Sequence, residues 1–368
     1  MTTMKPLVSN RSIVTRLINA TRSKAIGGQG GRVQDDIPIP SITPNEILVK
    51  VKAVALNPTD FKHLDIISPP NSIIGCDYAG VVHQVGDSVK DRWKIGDRVA
   101  GAVYGGLYPD KGAFAEYLKI DADVAWKVPE HISDTDAATY GVSAVTAMLV
   151  LNVIHGIPFV DTKPAGYTAV TTASSRSTQL VEQYGADAVF DYNSPSVAED
   201  IIKEYPKITK AVDCFSEGKS TSVCADVLEP NGGKVVTLLP NGKSSTPGVT
   251  YDLVMSYTAM GHAFQWLPPI GPKFEARPQD RAALVRFYET LPQITHILKP
   301  IPTIELKSGF DGIFEGLDKL RAGQVAGGKL VVRSNAEEQQ MAIEALAVIL
   351  DDILRRIELS VKTFIFYT

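Results

Sequence analysis

The sequence predicts an α/β fold in two parts, a compact β-rich domain followed by a doubly wound domain built on a parallel sheet. Three observations carry this reading. Between Lys24 and about Trp126, short β-rich runs are separated by Gly, Pro and Asp; after Ser133 the apolar residues take up helical spacing through Ile154; and from Tyr167 strands and helices alternate at the pitch of βαβ units. The 368 residues suffice for two domains with a sizeable core.

In order along the chain, Ile47 to Leu56 alternates, Tyr78 to Val85 ends at Gly86-Asp87, and Gly96-Asp97-Arg98-Val99 opens another run. Ser133-Asp134-Thr135-Asp136 is a helix start, because short polar side chains there accept the unpaired amides of a first turn. Strands are expected at Tyr167–Thr172, Ala188–Asp191, Lys210–Cys214 and Lys234–Leu239. Helices are expected at Ser177–Tyr184, Val197–Glu204 and Ser220–Leu228. Pro268 to Arg281 reads as a loop, Arg281–Leu298 as a helix, Leu317–Gly323 as a short helix and Lys329–Arg333 as a strand. From Glu337 the stripe Ile343, Leu346, Leu350, Ile353, Leu354, Ile357 and Val361 marks an amphipathic helix, packed on its own chain or on a partner.

Composition narrows the function classes. With 44% hydrophobic and 21% charged residues and a mean hydropathy of +0.02, the chain resembles ordinary globular proteins. A net charge of -4 provides no field for nucleic acid or an anionic membrane. Cys76, Cys214 and Cys224 are widely spaced and odd in number, which favours a reducing compartment over a disulfide framework. The most apolar stretch, Ala144–Val160, is interrupted by Asn152, His155 and Pro158 and is read as a buried helix, not a membrane span. Lys5, Arg11, Arg16, Arg22, Lys24 and Arg32 precede the first acidic residue, Asp35. That segment is either a poorly ordered basic extension, with the protein cytoplasmic, or a mitochondrial transit peptide.

Several runs then share one order: Ala55-Leu-Asn-Pro-Thr-Asp-Phe-Lys62, Gly75-Cys-Asp-Tyr-Ala-Gly80, Gly96-Asp-Arg-Val99, Gly112-Ala-Phe-Ala-Glu-Tyr117, Gly185-Ala-Asp-Ala-Val-Phe-Asp-Tyr192 and Gly328-Lys-Leu-Val-Val332. Together they resemble the medium-chain dehydrogenases/reductases, and within them the trans-acting enoyl reductases of fungal polyketide pathways, including the TOXD-like zinc-binding oxidoreductases. The resemblance implies a GroES-like catalytic domain at 24–140, a Rossmann-type domain at 141–295 and a return to the catalytic domain at 296–335. Flanking these are a basic extension at 1–23 and the helical tail at 336–368.

The implied reaction is NADPH-dependent reduction of a carrier-bound enoyl thioester, with a polyketide or hybrid synthase as partner and neither nucleic acid nor membrane involved. Asn57, Pro58, Thr59, Asp60 and Lys62 would meet cofactor and substrate. Lys62 is read either as the cation that stabilises or protonates the enolate or as a solvated surface amine; Asp60 either positions it or caps a helix. Ser174, Ser175, Arg176 and Ser177 stand where an NAD-dependent relative carries an acidic residue, and they suit a ribose 2′-phosphate, or simply a helix cap. Tyr192, Leu238 and Leu239 are further implied cofactor contacts. The substrate side is implied for Val142, Ser143, Ala144, Val145, Thr146, Ala147, Met148 and Leu149, for Ser256, Tyr257, Thr258, Ala259 and Met260, and for Gln324 and Val325. These apolar-rich segments suit an acyl chain and equally a core.

Despite the family label, no zinc site is expected. Gly75-Cys76-Asp77 stands where zinc enzymes of the family carry Gly-His-Glu, and no C-x-x-C occurs.

One piece is missing. A dinucleotide fold opens with a strand, a glycine-rich turn and a helix whose N-terminus holds the pyrophosphate. Only Pro158-Phe-Val-Asp-Thr-Lys-Pro-Ala-Gly166 fills the corresponding interval, where roughly 20 residues are needed. Gly27-Gly28-Gln29-Gly30-Gly31 lacks the spacing to replace the phosphate loop and is read as a hairpin turn. Alternatives to the enoyl reductase are another zinc-free NADPH reductase, acting on quinones or mitochondrial enoyl thioesters, and a non-catalytic relative that binds a synthase.

Overall fold

The computed structural model describes residues 2–22, 25–26, 28–159 and 166–334. Its spine is the strand Glu46–Ala55, nearly continuous in buried residues, as expected of a strand covered on both faces. Asp77–Val85 and Tyr117–Asp121 pair with it antiparallel. Lys329–Arg333 joins along Ala53 to Ala55, bringing the far end of the described chain beside the start of the motif at Asn57. With Arg98–Ala102, Trp126–Lys127 and Thr303–Glu305 this becomes a seven-stranded sheet. Trp93, Trp126 and Tyr78 fill the core beneath it, and the helix Pro278–Ile294 adds Leu284, Tyr288 and Leu291 to the same core. The Tyr288 hydroxyl accepts from the Ala102 amide at 3.0 Å.

The basic N-terminus is not an extension. Leu7–Ser9 pairs antiparallel with Gly31–Val33, and Thr3–Met4 with Ile37–Pro38. Between Leu7–Ser9 and Gly31–Val33 runs the helix Ile13–Ala20, capped by Ser12, whose side chain accepts from the Thr15 amide. Its polar residues face inward. Arg16 donates to the Ile66 carbonyl at 2.8 Å and the Pro268 carbonyl at 2.9 Å, and Asn19 to the Asp65 carbonyl at 2.9 Å. Arg11 pairs with buried Asp65 at 3.2 Å, and Arg321 reaches the same carboxylate at 2.8 Å. Composition failed here because buried guanidinium groups find acceptors that the local sequence does not reveal, most of them around residues 64–67 and, for Arg16, at Pro268. Of the glycine cluster, the described residues Gly28-Gln29-Gly30 form a turn immediately before Gly31–Val33, whose strand partner is Leu7–Ser9 and not an adjacent segment. Gly30 has φ +76°, and a Cβ there would stand 2.6 Å from Arg11 Nε.

The apolar stretch also departs from expectation. It forms the helix Val142–Met148 and then a wider turn, Leu149–Ile154, with Leu151 exposed, so only its first half is a buried helix. Among the described residues no helix is long and apolar enough to cross a membrane. The expected helices Arg281–Leu298 and Leu317–Gly323 are Pro278–Ile294 and Gly309–Arg321. The helical stripe from Ile343 to Val361 lies outside the described residues.

Strands of the second part are parallel, as alternation with helices requires, but among the described residues they do not form one sheet. Val170–Ala173 pairs with Ala188–Asp191, while Lys210–Asp213, Gly233–Thr237 and Val249–Leu253 form a separate three-stranded sheet. In a doubly wound order of 3-2-1-4-5-6, the first strand lies between the second and the fourth. The two sheets found here are the two halves that remain when that first strand is absent. The split therefore falls where the short Pro158–Gly166 interval places it. The helices Val197–Glu204 and Ser220–Leu228 pack on each other, with Val197, Ile201 and Val227 buried between them, and link the halves.

Restoring the missing partner should reunite the sheet. Inserting a relative's strand, glycine turn and helix between Pro164 and Ala165 is expected to raise the unfolding temperature by about 5 °C, because two strand edges regain ladder hydrogen bonds. An insertion that leaves or lowers that temperature contradicts the assignment of the gap.

Candidate active site

Where the strand Glu46–Ala55 ends, Leu56 donates its amide to the Leu330 carbonyl at 2.9 Å, and the chain turns into the short helix Pro58–Lys62. Proline suits the first helical position, where no amide partner is lost. Asp60 reaches back to accept from the Asn57 amide at 2.7 Å, closing the turn.

Beneath this turn lies a buried cation. The Lys329 ammonium donates to Asp77 Oδ2 at 2.6 Å, Asn57 Oδ1 at 2.8 Å and Ser143 Oγ at 3.0 Å. Its three donors are thereby all used. The other Asp77 oxygen accepts from the Val142 amide at 2.6 Å and so satisfies the start of the helix Val142–Met148. The approach requires glycine at 141, since a Cβ there would stand 2.1 Å from Asp77 Oδ1. One ion pair, with side chains 7% and 0% exposed, thus fixes two strands, a turn and a helix.

Electrostatics follow from that burial. Asp60 is wholly buried, and burial, reinforced by the neighbouring Asp77 charge, raises its pKa to about 7. Next to it, burial pushes the Cys76 thiol well above its ordinary range, with Asp60 and Asp77 adding to the effect. Tyr257 closes the other side. Its hydroxyl lies 2.6 Å from Thr59 Oγ1 and 3.1 Å from His63 Nε2, and its ring stacks on Tyr104 at 4.0 Å. His63 Nδ1 faces Ser68 Oγ at 2.9 Å; burial lowers its pKa to about 4, so the imidazole is neutral at pH 7.

Comparison with known proteins fits this geometry. The alcohol dehydrogenase GroES-like domain family matches residues 43–130. The trans-enoyl reductase apdC of Emericella nidulans is 34% identical over 307 residues, 80% of this chain and 91% of that protein. The chain belongs to the fungal trans-enoyl reductases, within the medium-chain dehydrogenases/reductases. A second relative, trans-enoyl reductase iliB of Hypocrea jecorina, is 32% identical over 84% of this chain and 92% of its own length. Among solved structures, the CurK enoyl reductase superposes with a TM-score of 0.64 at 17% identity, covering 90% of this chain and 99% of its own. A mycobacterial protein complexed with NADPH gives 0.64 at 16%, with the same coverages. At such identities these structures speak for the fold.

Within this reductase frame, Asn57, Thr59, Asp60, Ser143 and Tyr257 come together, and Lys62 sits half-buried one turn beyond Thr59. Val142 and Met260 pack beside Cys76, Tyr104 and Tyr257. The other expected lining residues are divided between the core and the surface. Val145, Met148, Leu149 and Ala259 belong to the main core, and Thr258 is buried with its hydroxyl on Asp280 at 2.6 Å. Ala144 and Val325 pack against that core, whereas Ala147 and Gln324 are exposed; Thr146 and Ser256 are half-buried.

On the nucleotide side, Ser174 to Ser177 form a turn after Val170–Ala173, with the Ser177 amide on the Ser174 carbonyl at 2.8 Å. Ser175 and Arg176 are exposed. Ser177 occupies the cap position without a side-chain cap bond. Tyr192 is 57% exposed and lines an open groove with Val197 and Lys219. Leu238 and Leu239 are half-buried, the Leu238 amide donating to Ser216 Oγ at 2.8 Å.

Lys329, Asp77 and His63 were not recognised from sequence as site residues. Lys329 read as the start of an apolar strand and Asp77 as a motif letter. Opposite charges set in two otherwise apolar runs were the signal that they had to be paired. Among the described residues, no three His, Cys, Asp or Glu side chains are grouped to hold a metal ion.

Asp60 gives a pH prediction. Its folded pKa of about 7 lies above the ordinary 3.8, so the folded state holds the proton more tightly. The resulting stability is full below about pH 4 and is lost as pH rises through about 7. The Asp60→Asn variant lacks this titration, so its unfolding temperature should gain on that of the wild type between about pH 5 and pH 8. Parallel pH profiles would refute the assignment.

Proposed function

We propose that this chain is a trans-acting enoyl reductase that uses NADPH to reduce the α,β-double bond of a carrier-bound polyketide thioester in secondary-metabolite biosynthesis, with a polyketide or hybrid synthase as its partner. The observation that carries the reading is Lys62. It is half-buried on a turn anchored by the Lys329–Asp77 pair, and no carboxylate pairs with it among the described residues. A cation held there answers the negative charge that develops on an enolate oxygen and delivers a proton to its α-carbon. The relatives named trans-enoyl reductases support the reaction class.

The residues fit the adenosine end of NADPH: Arg176 is exposed and makes no hydrogen bond or ion pair among the described residues, and Ser174, Ser175 and Ser177 surround it on one turn. Asn57 to Thr59 would border the nicotinamide, and Leu238 and Leu239 its far side. When bound, NADPH supplies the hydride. The element that would grip its pyrophosphate has no counterpart in the short Pro158–Gly166 interval, so affinity should be weak. That interval and the split sheet favour a second reading, a non-catalytic relative that binds a synthase. A cytoplasmic location is the one we favour, supported by Arg11 and Arg16 bonding within the fold and by three free cysteines.

NADPH oxidation with an enoyl thioester tests the reading. Turnover on the thioester and not on a quinone is expected, and Lys62→Ala should lower kcat on the order of 100-fold with little change in NADPH affinity. Absence of turnover at saturating NADPH, with synthase capture retained, would establish the second reading. Arg176→Ala should weaken NADPH binding about 10- to 100-fold and leave NADH binding unchanged, since only the 2′-phosphate pairs with a guanidinium. Equal losses for both would make Arg176 a structural residue.

A further inference from the structure

The buried ammonium has a consequence for the groups it touches. Lysine only donates, so the Asn57 amide must turn its oxygen to Lys329, and Ser143 must receive the ammonium on a lone pair. Both partners are left with donors unspent. Asn57 Nδ2 is buried and has no acceptor, and the Ser143 hydroxyl proton, on a half-buried side chain at the first turn of its helix, meets no acceptor among the described residues. Such an orphan is costly in a folded protein unless a ligand completes it.

We infer that Asn57 Nδ2 and the Ser143 hydroxyl form a donor pair for the thioester carbonyl oxygen, with Lys329 as the positioning residue that fixes their polarity. This inference rests on the enoyl-reductase reading. The two groups share one ammonium, within 3.0 Å of it, so they sit on the same patch of the site and are polarised by the same buried charge. Donors fixed in advance stabilise an oxygen whose charge grows during reaction, because nothing has to reorganise when it does. Lys62 is then left to deliver the proton at the α-carbon.

Infrared difference spectroscopy of an enoyl thioester labelled with ¹³C at its carbonyl tests this on the full chain and requires no cofactor. The wild type should lower the carbonyl stretch on binding. Ser143→Ala should return most of that shift and lower kcat on the order of 100-fold with KM little changed, and Ser143→Thr, which keeps the hydroxyl, should restore both. A carbonyl band unmoved on binding, or a shift that survives in Ser143→Ala, overturns the inference and leaves the reductase reading standing. So does a shift found only on a labelled nicotinamide carboxamide. Failure of the wild-type chain to bind the thioester at all overturns both.

Discussion

A lysine ammonium shut away from water must spend every proton it carries, and the site of this protein is organised by that requirement. Lys329 meets it with one carboxylate, one amide oxygen and one hydroxyl, drawn from the strand Asp77–Val85, the turn at Asn57 and the helix Val142–Met148. Removing any partner would leave a buried charge or donor uncompensated, so elements distant in sequence are held in one arrangement. The turn Asn57 to Lys62 inherits its position from this contact. The raised pKa of Asp60 comes from burial in the same place, with the neighbouring Asp77 charge adding to it and the Lys329 charge only partly offsetting it.

The second constraint concerns what the parallel sheet lacks. A strand at the centre of such a sheet supplies ladder hydrogen bonds to both neighbours and, at its end, leads into the helix that receives phosphate. Here, among the described residues, the strands split into a pair and a triplet at that point, while the turns at Ser174–Ser177 and Asn57–Lys62 lie on either side of the split. Under the proposed function, the chain would keep the two ends of a dinucleotide site and lack the grip on its middle. The proposed function thus ties fold to activity: the gap that divides the sheet is the one expected to weaken cofactor binding.

How much the sequence disclosed depended on how local each signal was. Val197–Glu204, Ser220–Leu228 and Lys329–Arg333 stand where periodicity placed them, because their burial pattern is set within each segment. Tyr167 was read into a strand that begins only at Val170. Its aromatic character favoured a strand, yet it is 57% exposed. The basic N-terminus misled for the opposite reason, since Arg11 and Arg16 find several of their acceptors near residue 65 and, for Arg16, at Pro268. Within the site, the Asn57 to Lys62 motif was legible as a motif. Its anchor was not, because the Asp77–Lys329 pair spans most of the chain and neither residue announces its partner. Val145, Met148 and Leu149, expected on the substrate side, are buried in the core, which apolar residues of this kind suit equally.

Unfolding of a short mutant cycle at the anchor tests the account most directly. Lys329→Met should cost about 3 to 5 kcal/mol of stability, because it strands the buried Asp77 carboxylate, and adding Asp77→Asn should recover much of the loss. Thermal and denaturant unfolding of the single and double variants would show it. A Lys329→Met protein as stable as the wild type, or a double variant no better than the single, would contradict the claim that this ion pair holds the site together.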